Sequence, residues 1–202
     1  MKHILIVVLL ASSSVLSAQQ MNQKIEMTLD ELGNADLKVS MKMNAANWQQ
    51  WIQSLGNNPS ALKREIEREM PAFFLDDFHL EKDEMERSFE LSLKAYGICK
   101  VDKRGKWVLE TDEKNIELTE LSEQKYMYVN SPSEFGGQIQ QTTFVTFPNS
   151  ASDIEIDKDA FGQTVFQFKM ADPGFSISSL IRWFGIALML GGAVWAIVKM
   201  VL

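Results

Sequence analysis

The sequence predicts an α+β fold, an antiparallel β meander with two helices inserted after an N-terminal hairpin, plus one C-terminal transmembrane helix. Three observations predict it. Most of the chain alternates apolar and polar residues, as half-buried strands do; residues near position 50 change to helical spacing; and residues 183–198 carry no charge. With 202 residues, 46% of them apolar, the chain is long enough to bury a core.

The first predicted element is a β-hairpin. Ile25, Met27 and Leu29 alternate with polar residues, as do the apolar residues of 37–43, and Gly33-Asn34 lies between the two runs. A glycine beside an asparagine between two alternating runs is a typical hairpin turn.

Two helices are predicted next. Within residues 48–55 the apolar side chains fall at positions i, i+3, i+4 and i+7, and Gly56 marks the end of this helix. Asn58-Pro59 then opens a second helix in the preferred order of cap and proline, and its apolar stripe ends at Met70.

The remaining residues predict a meander of about six to eight strands. The short apolar runs that would supply them lie around 78–80, 89–95, 98–101, 106–110, 116–118, 126–129, 139–147, 154–156 and 165–168. A run of strands that follows two helices indicates one α+β domain with the helices on one face of the sheet.

The N-terminus is typical of a secretory signal peptide. Lys2 precedes eight apolar residues at 4–11, and small residues follow up to Ala18. The pattern predicts cleavage after Ser17 or Ala18, which makes residues 1–18 the signal peptide. The alternative, an uncleaved anchor, would require a longer apolar run.

The C-terminus is expected to be a membrane anchor, residues 175–202, with a transmembrane core at about 180–202. Four small residues on the predicted helix would let another helix approach closely. They are Ala187, Gly191, Gly192 and Ala196. A buried C-terminal helix and a glycolipid-attachment signal around 171–174 are the alternatives.

The exported domain predicted between these ends, residues 19–174, is acidic. Residues 19–178 carry 17 basic and 27 acidic side chains, a net charge of −10. This charge excludes nucleic acid as a partner, because the domain would repel phosphates.

The sequence offers little catalytic chemistry. It contains no glycine-rich phosphate loop, catalytic triad motif or zinc-ligand spacing, so we predict no catalytic residue, no metal and no cofactor. Trp48 and Trp51 are candidates for lining a ligand pocket between the helices and the sheet, although plain core packing also explains them.

In overall architecture the chain resembles the LppM-type family of bacterial envelope proteins. The local similarity is a strand that ends in proline at 144–148, a hairpin formed by 153–159 and 163–169, and then the predicted anchor. The resemblance implies an α/β sandwich that holds lipid or glycolipid. Family members often end in a basic tail, whereas only residues 199–202 follow the predicted span here.

These observations predict a non-catalytic, single-pass protein of the cytoplasmic membrane with an exported domain and a cytoplasmic C-terminus. The domain is expected to bind a lipidic ligand or another envelope protein. The alternatives are a scaffold subunit that acts through its transmembrane helix and a hydrolase with an unfamiliar site. The oligomeric state is not predicted.

Overall fold

The computed structural model describes residues 21–114, 116–131 and 139–171. The predicted signal peptide at 1–18 and the predicted transmembrane core at 180–202 lie outside these residues, as do Ala187, Gly191, Gly192 and Ala196. The described residues up to Met170 belong to one compact unit.

This unit contains eleven strands and two short α-helices among the described residues. The strands are β1 (Met21–Leu29), β2 (Ala35–Lys42), β3 (Phe74–Asp83), β4 (Ser88–Tyr96), β5 (Cys99–Val101), β6 (Trp107–Lys114), β7 (Leu118–Ser122), β8 (Lys125–Asn130), β9 (Ile139–Thr146), β10 (Ala151–Lys158) and β11 (Gln163–Met170). The helices are α1 (Ala45–Trp51), which continues into a π-helical turn (Ile52–Gly56), and α2 (Pro59–Glu69).

Asparagine side chains fix the start of both helices. Asn44 accepts a hydrogen bond from the backbone N–H of Asn47, and Asn58 accepts one from that of Ala61, with Pro59 in the first helical turn. These bonds satisfy N–H groups that the first turn of a helix leaves without a partner.

The strands form two sheets. The seven-stranded sheet has the order β3-β4-β2-β1-β9-β8-β7, and the four-stranded sheet has the order β10-β11-β6-β5. β1 pairs with β9 in parallel, whereas the other pairs are antiparallel.

The two faces of the seven-stranded sheet differ in what covers them. The inner face is covered by the helices at one end, where Trp51 stacks on Phe89 of β4 with ring centroids 4.6 Å apart. At the other end it is covered by the four-stranded sheet, where Phe166 of β11 packs against Tyr126 and Phe147. The outer face carries the polar side chains of the alternating strands, which are exposed or half-buried.

The predicted fold class was wrong in two respects. The strands do not form one antiparallel meander, because they divide between two sheets and because β1 pairs in parallel with the distant β9. The C-terminal transmembrane helix is not supported either: within the part of the chain that the structure describes, every helix is too short or too polar to cross a membrane.

The physical reason for the first error is that alternation specifies which face of a strand is buried but not which strand lies beside it. The alternating pattern of β1 is compatible with either a hairpin partner alone or a second neighbour on its other edge.

Candidate functional site

Trp48 and Trp51, the predicted pocket residues, lie in an aromatic stack under the sheet. Trp51 is fully buried, and its ring lies 5.2 Å from that of Trp48. Neither residue lines the cavity between the sheets or either of the two surface troughs described below. Their role in ligand binding stays a prediction.

The described side chains leave little space between the two sheets. A cavity of about 30 Å³ lies there, bounded by apolar side chains such as Ile25 and Leu109 and by the polar side chains of Thr111, Gln141 and Thr143. This volume is close to that of a single water molecule. It is far below the roughly 300–1,000 Å³ of small-molecule pockets.

The larger concavities lie on the outer face of the seven-stranded sheet. The first, which we call the turn-side trough, has a volume of about 540 Å³ and lies near the β1–β2 turn. It is lined by three lysines, three carboxylates, three hydroxyl side chains and one aromatic ring. These are Lys38, Lys94, Lys125, Glu26, Asp36, Asp77, Thr28, Ser92, Thr146 and Phe144.

The second, the helix-side trough, has a volume of about 520 Å³ and lies toward the other end of the same face. Its charged lining also contains equal numbers of both signs. These side chains are Lys24, Lys42, Lys82, Glu81, Asp83 and Glu90. Both troughs are therefore electrically balanced, although the domain as a whole is strongly acidic.

Ion pairs order the floor of the troughs. Lys38 contacts Glu90 at 2.6 Å and Lys24 contacts Glu26 at 2.8 Å. The hydrogen bond to Glu90 raises the pKa of Lys38 above its usual value. All four side chains are at least one-third exposed, so these contacts add little to stability but hold the lysines in defined positions.

Lys94 lies between two acidic residues of the β1–β2 turn region. Its Nζ is 3.7 Å from Asp30 and 3.9 Å from Asp36. Burial alone would raise the pKa of Asp30, but hydrogen bonds from Asn34 and Leu32, together with the charge of Lys94, lower it. Asp30 is therefore ionised at neutral pH and forms an ion pair with Lys94, which lines the trough.

Lys125 differs from these lysines. Within the described residues its ammonium group has no carboxylate within 4 Å, and it lies 5.5 Å from the ring centroid of Phe144. Lys24 lies 5.4 Å from the same ring. Phe144 is thus held between two cations by the attraction of its ring quadrupole.

The carboxylates of β10 are the next group that could bind a cation. Asp153 pairs with Lys169 at 2.7 Å and Glu155 with Lys106 at 2.6 Å, so two of the three carboxylates of β10 have a lysine partner. In the described ranges no three histidine, cysteine or acidic side chains are grouped closely enough to hold a metal ion.

Cys99 is buried. Burial, and secondarily the charge of Asp30, raises the pKa of its thiol to about 12. A thiol that keeps its proton at neutral pH is a poor nucleophile.

We therefore expect Cys99 to resist a thiol reagent such as DTNB at pH 8 until the protein is unfolded. Since an unfolded cysteine loses its proton near pH 9, the unfolded state binds fewer protons than the folded state between about pH 9 and 12. Stability should be insensitive to this thiol below pH 8 and should fall as the pH rises through that window. Rapid labelling of the folded protein at pH 8 would contradict the burial.

Sequence reasoning missed the trough residues. The alternation placed Lys24, Lys38 and Lys94 on solvent-facing positions, but it did not show that their strands are neighbours. Phe144 carried a visible signal, since it is a large apolar residue at an outward position of β9, between the inward-facing Thr143 and Val145.

Comparisons with known proteins add no functional information. No protein-family model, no curated protein and no solved structure matches this chain. The resemblance to the LppM-type family stays a prediction.

Proposed function

We propose that this domain is a non-catalytic module, exported to the bacterial cell envelope, that binds another envelope protein on the outer face of its seven-stranded sheet. The observation that carries the proposal is the pair of troughs on that face, lined by ordered charges of both signs. Export is inferred from residues 1–18 of the sequence.

The geometry favours a protein partner over a lipidic ligand. A lipid chain requires an apolar cavity, and the cavity that the described residues enclose between the sheets has a volume of only about 30 Å³. The troughs instead offer ammonium groups, carboxylates and hydroxyls, which suit the charged side chains and backbone of a polypeptide.

Site-specific photo-crosslinking tests this function. A photoreactive amino acid is placed at Ser92, in the turn-side trough, and in a matched variant at Ser152, which is exposed on the four-stranded sheet. In cells of the producing organism, we expect a defined protein adduct from position 92 and none from position 152.

The same crosslink should decrease at least five-fold when Lys38→Glu and Lys94→Glu are combined, because these changes reverse the charge pattern of the trough. The double variant must retain its far-UV circular dichroism. An absent adduct at position 92, or equal adducts at both positions, would contradict the proposed function.

A further inference from the structure

The turn-side trough has an aromatic group near each end. Phe144 lies on β9 at one end. Near the other end, Phe74 of β3 and Tyr96 of β4 form a pair with ring centroids 5.6 Å apart, and Lys94, which lines the trough, lies 5.8 Å from the Tyr96 ring.

The exposure of this pair is unusual. Phe74 is 69% exposed and Tyr96 is 36% exposed, although both are large aromatic residues. Aromatic side chains are enriched among the residues that contribute most to protein interfaces, because they offer a large contact area at low entropic cost.

The register of the strands gives the distance between the two aromatic groups. Phe144 lies opposite Glu26, Glu26 opposite Lys38, and Lys38 opposite Ser92, so three strand spacings separate β9 from β4. Tyr96 lies four residues further along β4. At about 4.8 Å per strand and about 3.3 Å per residue, the separation is roughly 19 Å, the length of about six extended residues.

We propose that the turn-side trough binds an extended segment of its partner in which two apolar side chains, about six residues apart, flank charged residues of both signs. One apolar side chain packs beside Phe144 and the other on the Phe74–Tyr96 pair. The charged residues between them form ion pairs with the three lysines and three carboxylates of the floor. The charges of the bound segment and of the trough are therefore complementary. This inference rests on the proposed function and specifies the partner's recognition motif.

A display library of random dodecapeptides, selected on the full-length protein, tests the motif. The selected peptides should share two apolar positions about six residues apart with charges of both signs between them. A synthetic peptide of that consensus should then bind at least five-fold more weakly to Phe74→Ala and to Phe144→Ala than to the unmodified protein.

Phe161→Ala is the matched control, since Phe161 is 74% exposed in the β10–β11 turn and lies outside the trough. It should leave the affinity unchanged. Because Phe74 is mostly exposed, its replacement tests the contact even if the half-buried Phe144 proves important for folding.

The outcomes separate the two proposals. If Lys38→Glu and Lys94→Glu abolish peptide binding but Phe74→Ala and Phe144→Ala do not, the aromatic anchors are refuted and the proposed function stands. If neither set of changes affects any selected peptide, both proposals fail.

Discussion

Replacing Gly33 with alanine is expected to destabilise the protein by about 2–5 kcal/mol. Gly33 has a φ of +76°, where an alanine costs roughly 1–2 kcal/mol. An added Cβ would also lie 2.4 Å from the Trp107 ring and 3.2 Å from Cβ of Cys99, and overpacking of this kind costs roughly 1–3 kcal/mol. Urea denaturation followed by far-UV circular dichroism measures the loss.

Gly105→Ala is the matched control for this substitution. Gly105 has a similar φ of +79°, but a Cβ there would meet no atom within 4 Å. The Gly105→Ala variant should therefore lose only the stability that depends on the backbone conformation, about 1–2 kcal/mol. Equal losses at the two positions would show that the β1–β2 turn does not pack against Trp107 as described.

The second large effect is expected for Trp51→Ala, which should cost about 3–5 kcal/mol. Trp51 is fully buried and stacks on Trp48 and Phe89, so its removal leaves a cavity that its neighbours cannot fill. Since a typical domain is stable by only about 5–15 kcal/mol, the urea midpoint should fall by a large fraction.

Two further variants make this prediction specific. Trp51→Phe keeps a stacked ring and removes an indole N–H that has no hydrogen-bond partner in the described structure, so it should cost less than the alanine variant. Phe161→Ala, on the surface, should change the stability by less than about 0.5 kcal/mol. A loss below about 1 kcal/mol for Trp51→Ala would indicate open space around the ring, as a ligand pocket would provide.

The sequence predicted the local elements better than their arrangement. The hairpin around Gly33, the caps at Asn44 and Asn58, and the inward-facing residues of β1 follow from short-range rules that act within a few positions. The pairing of β1 with β9 depends on contacts between distant segments, about which a single alternating pattern carries no information.

The candidate site was missed for the same reason. Lys38 and Lys94 are ordinary surface lysines when each strand is considered alone. They become parts of one trough because β2 and β4 are neighbours and because the outer face is concave. Trp48 and Trp51 lie in the core, which is the interpretation that the sequence left open beside a pocket lining.

The central position of β1 has a consequence for how the protein folds. β1 is the first described strand, yet its partner β9 follows more than a hundred positions later in the chain. Contacts of such high sequence separation slow folding, because the entropy of closing a long loop is lost before the pairing compensates for it. One edge of β1 therefore stays unpaired until β9 is available. A chain that emerges N-terminus first, from a ribosome or through a membrane, can complete this sheet only near the end of its passage.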